Sequence, residues 1–133
     1  MNAFSNERLY SLDYDWLWAA PPHNDGSEAR LRVFLKWTLI DSSDDAYEGV
    51  PGGPLGKVVR DWLGSLPYSD GGIWGEGGWA ASIIKEDSDG VVLDIWSAGE
   101  DVADGIEAGT LSLFEGVLRA HPVDVRYEQL PRV

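Results

Sequence analysis

The sequence predicts an α+β domain: an antiparallel sheet of four to five strands with two helices packed on one face. Three observations predict it. Several runs alternate apolar and polar residues with the period of a half-buried strand. Two other runs repeat their apolar residues at helical spacing. The order is strand, strand, helix, strand, strand, helix, strand, and without its first strand this is the ferredoxin-like βαββαβ order. At 133 residues the chain has the length of a single domain, spanning 1–133.

Leu9–Trp18 places Tyr10, Leu12, Tyr14, Trp16 and Trp18 on one side and Ser11, Asp13 and Asp15 on the other, so it reads as an extra N-terminal strand. Ala19–Ser27 holds two prolines and an Asp-Gly step and reads as a loop. In Arg30–Ile40, Leu31, Val33, Leu35, Trp37 and Leu39 point one way and Arg30, Arg32, Lys36 and Thr38 the other. A helix would spread those charges around its circumference, so a strand is predicted. Its cations are expected to pair with carboxylates of a neighbouring strand, such as Asp13 and Asp15.

Asp41–Gly53 is an acidic loop. In Pro54–Leu66, Leu55, Val58, Val59, Trp62, Leu63 and Leu66 form one helical stripe, with Pro54 suited to the first turn and Pro67 as the stop. Ser69–Gly78 reads as a glycine-rich loop presenting Ile73 and Trp74. Ala80–Glu86 and Val91–Ser97 flank Asp87-Ser88-Asp89-Gly90, a hairpin signal. Gly99–Gly105 is a second acidic loop. Thr110 is placed to cap a helix running to about His121, with Leu111, Phe114, Val117 and Leu118 as its buried stripe. Val123–Leu130 alternates again and reads as the last strand.

Composition narrows the function. The net charge is −13, and 44% of residues are hydrophobic. Such a charge repels phosphates and anionic membranes and favours a cationic partner, although it also serves solubility alone. Direct nucleic-acid binding needs a basic footprint, which is missing. There is no Cys, hence no disulfide, thiolate metal site or thiol nucleophile. The polar N-terminal stretch lacks a signal-peptide pattern, and no apolar run approaches the ~20 residues that cross a bilayer, so a cytoplasmic location is expected.

Catalytic constellations are hard to assemble. The two histidines are His23, in a Pro-flanked loop, and His121, before Pro122 at a helix end where a cation meets the negative dipole. No Gly-x-Ser-x-Gly elbow occurs. The carboxylates of Asp41–Glu48 and of Asp87–Asp94 lack EF-hand spacing, and Asp87–Gly90 is explained by turn chemistry. Asp61 and Asp94 lie within apolar elements and are the carboxylates to check for unusual environments, the plainer reading being a solvent face. The Gly71–Gly78 segment lacks the Lys-Ser/Thr of a phosphate loop. No enzyme activity, metal or cofactor is therefore expected.

Binding residues are easier to nominate. Asp41, Asp44, Asp45 and Glu48 form one acidic cluster, and Glu100, Asp101 and Asp104, followed by Glu107, form another. Trp74, with Glu76 nearby, is a candidate aromatic anchor. The alternative is that the loops are merely solvated and Trp74 folds back over the sheet.

The pattern Leu55-x-x-Val58-Val59-x-x-Trp62-Leu63, the Trp/Gly segment, the Asp-Ser-Asp-Gly hairpin and the closing Thr110-Leu111-x-Leu113-Phe114-x-x-Val117-Leu118 run together resemble small acidic bacterial immunity proteins of polymorphic toxin systems. That resemblance implies a protein that performs no reaction and occludes the active site of a basic partner, such as a nuclease toxin. Two other readings stand beside it: a phage or plasmid inhibitor mimicking nucleic acid, and a small-ligand-binding domain or enzyme using the aromatic face Tyr10, Tyr14, Trp16 and Trp18. Homo-oligomers through the last strand are a further option, because Pro131 protects that edge only partly.

Overall fold

The computed structural model describes residues 9–17, 28–37, 53–87, 90–98, 102–121 and 123–131. Its centre is one antiparallel sheet in the order β2-β3-β4-β5-β1-β6. The strands are β1 (Glu28–Trp37), β2 (Tyr68–Asp70), β3 (Ile73–Glu76), β4 (Trp79–Asp87), β5 (Gly90–Ala98) and β6 (Val123–Gln129). Helix α1 is a single turn (Tyr14–Leu17), α2 spans Gly53–Gly64, and α3 spans Val102–Leu113 and continues as a π-helical turn over Phe114–Leu118. With the β2–β3 hairpin set aside, β1-α2-β4-β5-α3-β6 has the predicted βαββαβ order and the spatial order β4-β5-β1-β6. The sheet has six strands because of that hairpin. Among the described residues no helix is long and apolar enough to cross a membrane.

Alternation in β1 is realised as read: Leu31, Val33 and Leu35 are buried on the helix side, while Arg30, Arg32, Phe34 and Lys36 occupy the other face. Val91, Leu93 and Ile95 of β5, Trp79 and Ala81 of β4, and Val123 and Val125 of β6 extend the same apolar floor. Leu55, Val59, Trp62 and Leu63 of α2 and Leu113, Val117 and Leu118 from α3 and its π turn close it. Each of these side chains contributes on the order of 2 kcal/mol by leaving water. Trp62 and Trp79 stack in the middle, with ring centroids 6.2 Å apart and planes 11° from parallel.

Three expectations need correction. The N-terminal segment is not a strand. Asp13 accepts the Leu17 N–H at its carbonyl (3.0 Å) and the Trp16 N–H at Oδ1 (3.3 Å), which turns the chain into α1. Trp16 Nε1 then donates to Leu130 O and the Tyr10 hydroxyl to Gln129 Oε1, so these aromatics cover the end of β6. The glycine-rich segment is not a loop but the β2–β3 hairpin. Gly71 (φ 58°) and Gly72 (φ 89°) both take the positive φ of a type I′ turn, a conformation that Gly, Asn and Asp accept and that strains most other side chains. The last helix starts at Val102, not at Thr110. Thr110 is buried inside it, its hydroxyl donating to Ile106 O (2.8 Å). Its core stripe runs Val102, Ile106, Thr110 and Leu113, leaving Leu111 40% exposed.

The π turn has a packing cause. Arg119 N–H bonds Phe114 O five residues back (2.8 Å), and the wider turn lets Val117 and Leu118 both reach the core. Gly116 passes against α2: a methyl group there would lie 2.4 Å from Trp62 Cδ1.

Candidate functional site

Among the described residues, an acidic stripe lies on the helix side and most of the basic side chains gather on the other face of the sheet. On the helix side, exposed positions of α3 and its π turn carry Asp104, Glu107, Leu111 and Glu115, recurring at helical spacing. Asp104 sits in the first turn, where a carboxylate also meets the positive end of the helix dipole. Beside this stripe a cleft of about 430 Å³ opens between α2, the π turn and β3. Trp62 and Ser112 line it, joined by a hydrogen bond from Trp62 Nε1 to Ser112 Oγ (3.0 Å). Glu76 and Glu115 stand at its walls with Leu111 between the cleft and the acidic stripe. Glu76 reaches this side because it pairs with Trp79 across the β3–β4 hairpin, and paired residues share a face. The nearest cations of α2 are engaged elsewhere: Lys57 with Asp61 (2.8 Å) and Arg60 with Glu86 (2.5 Å).

Among the described residues, the opposite face of the sheet carries five basic side chains, Arg30, Arg32, Lys36, Lys85 and Arg126. Its centre is Asp94, fully buried although no described helix covers it. Asp94 lies opposite Arg32 on β1, and its carboxylate accepts from Arg32 Nε (2.8 Å), Arg32 Nη2 (3.0 Å) and Arg30 Nη1 (3.1 Å). Arg30 in turn lies 4.2 Å from the Trp96 ring centroid and pairs with Glu28. Burial pulls the Arg30 guanidinium down, but its bonds to Glu28 and Asp94 outweigh that and hold it above its ordinary pKa. Arg32 is raised by its bond to Asp94 against a smaller loss from burial. The cations of β1 thus pair with β5, not with Asp13 or Asp15, and Asp94 is a structural counter-ion rather than a solvent-facing residue.

The nominated binding residues are divided by the structure. Glu76 and Asp104 are exposed on the helix side, as described. Trp74 is half-buried and packs against the core from β3, opposite Ala81, so it is not a freely presented anchor. Asp41, Asp44, Asp45, Glu48, Glu100 and Asp101 lie outside the described residues. Asp61 is exposed on α2. Tyr10 and Trp16 of the proposed aromatic face are packed against the core clusters, and Trp18 lies outside the described residues. Sequence reading missed the cleft and Leu111. The helical spacing of Asp104, Glu107, Leu111 and Glu115 was present in the sequence, but it emerges only once the helix is started at Val102.

Among the described residues no group of three or more His, Asp or Glu side chains is arranged to hold a metal ion. Comparison with protein-family models, with curated proteins and with solved structures found no match.

Proposed function

We propose that this chain is an inhibitory binding protein of the immunity type, which neutralises a basic protein toxin by lying over its active site. The observation that carries the proposal is the outer face of α3, where Asp104, Glu107 and Glu115 flank an exposed Leu111 beside the Trp62 cleft with Glu76 at its wall. An apolar side chain ringed by carboxylates suits a cationic surface: Leu111 is buried on contact, and the acids steer the encounter. Glu76 and Glu115 are placed to receive an Arg or Lys of the partner above the cleft. The net charge of −13 raises the association rate with a basic partner.

The test is affinity capture from nuclease-treated lysate of the source cells, with wild type beside a variant carrying Glu76→Gln, Asp104→Asn, Glu107→Gln and Glu115→Gln. One stoichiometric basic protein, released by salt and retained at least tenfold less by the variant, is the expected result. Equal retention by the variant, or retention indifferent to salt, would remove the acidic face from consideration.

A further inference from the structure

The outer sheet face holds a second concavity, remote from the acidic cleft. It is an open depression of about 540 Å³, within the range of small-molecule sites. Phe34, Lys36, Lys85, Val92, Asp124 and Arg126 line it. Four strands bring these residues together by register: Phe34 lies opposite Val92 on β5 and opposite Arg126 on β6, and Lys36 lies opposite Asp124. The bulge between Ile83 and Lys85 in β4 shifts the pairing so that Lys85 falls opposite Val92, on the outer face. Three cations thus meet one carboxylate, in a chain whose acids outnumber its bases 23 to 10.

Arg126 is held differently from the two arginines at the centre of the face. Arg30 and Arg32 direct their N–H groups at Asp94. Arg126 is steadied by an aromatic ring, its Cζ 4.1 Å from the Phe34 centroid. A ring contact restricts a guanidinium without neutralising it, so the charge stays available to an incoming anion. At physiological ionic strength charges beyond about 8 Å are largely screened, so the acids of the far face weigh little at this depression.

We propose that this depression binds a small amphipathic anion, with a flat apolar body against Phe34 and Val92 and a carboxylate or phosphate group held by Arg126 and Lys36. The test is a titration of the ¹⁵N-labelled protein followed by amide chemical shifts, with 2-naphthyl phosphate and 2-naphthoate as probes and 2-naphthol and inorganic phosphate as controls. Saturable shifts are expected at Phe34–Lys36, Val91–Val92 and Asp124–Arg126, and whichever anion binds tighter identifies the head group. Each control should bind at least about tenfold more weakly, and Arg126→Gln should weaken the better probe by about tenfold while leaving other amides in place. Phe34→Leu, which keeps the apolar volume, should weaken it as well. The proposal is overturned if neither anion gives saturable shifts at these amides, if 2-naphthol binds equally well, or if Arg126→Gln leaves the affinity unchanged.

Discussion

Replacing Asp94 with alanine should destabilise the fold by about 3 kcal/mol, a loss that follows from the way the outer sheet face is built. The Asp94 side chain is 1% exposed, and its carboxylate accepts three hydrogen bonds from two guanidiniums. Hydrogen bonds to charged groups contribute about 1.5–3 kcal/mol each, and the three here share one carboxylate, so their sum is an upper limit. Arg30 and Arg32 are each 32% exposed and can turn part of their charge to water, which recovers some of that loss. The net figure then falls at the low end of the roughly 3–5 kcal/mol lost when one partner of a buried pair is removed. Asp94→Asn keeps the volume but turns an amide N–H₂ towards a donor, and should cost about 2 kcal/mol. Urea unfolding followed by Trp fluorescence would measure both, and a thermal melt of Asp94→Ala should fall by about 12 °C for a domain of this size. The loss should persist at about 0.5 M salt, since buried pairs are little screened. Asp61→Asn, which breaks the exposed pair with Lys57, should stay within about 0.5 kcal/mol of wild type. A loss below about 1 kcal/mol for Asp94→Ala would mean that the triad is not what closes this face.

Other consequences can be checked in the same way. Gly116→Ala should destabilise by about 1–2 kcal/mol in urea despite the better helix propensity of alanine, because the new methyl displaces Trp62; a neutral or stabilising result would refute the π-turn packing. Leu113→Ala should cost about 3 kcal/mol and Leu111→Ala less than about 0.5, an ordering that the sequence-derived stripe would reverse. Burial, with Asp13 adding to it, pushes the Tyr10 phenol well above the ordinary tyrosine range, so Tyr10 should stay neutral when exposed tyrosines ionise. Because the folded state holds that proton more tightly, its contribution is complete below about pH 10 and is lost progressively as pH rises beyond it. Tyr10→Phe should flatten that alkaline decline, and ultraviolet titration at the phenolate band would show the late-ionising group disappear.

The elements that sequence reading placed well are those with one strong period. Arg30–Ile40, Pro54–Leu66 and Val123–Leu130 each have a single apolar stripe, and over their described residues they form the predicted elements, as Glu28–Trp37, Gly53–Gly64 and Val123–Gln129. Leu9–Trp18 shows why a period alone misleads. Its alternation is real, but the short polar side chain of Asp13 offers the backbone a local partner and turns the chain into a helix. The glycine-rich segment carried the opposite ambiguity: the same residues that suggest a loop are those that a two-residue hairpin turn requires at Gly71 and Gly72.

The sequence by itself determined the α+β class, the two packing helices, the hairpin around residues 87–90 and the large negative charge, because all of these follow from local periodicity and composition. Only the tertiary structure decided where the charge lies. The pairing of Arg30 and Arg32 with Asp94 spans more than sixty positions of chain and depends on β1 lying next to β5. That Glu76 and Glu115 line one cleft depends on β3 joining the sheet beside β4 and on a π turn that the sequence did not announce. Register and packing set such distances between residues remote in the chain, and neither is fixed until the sheet has formed.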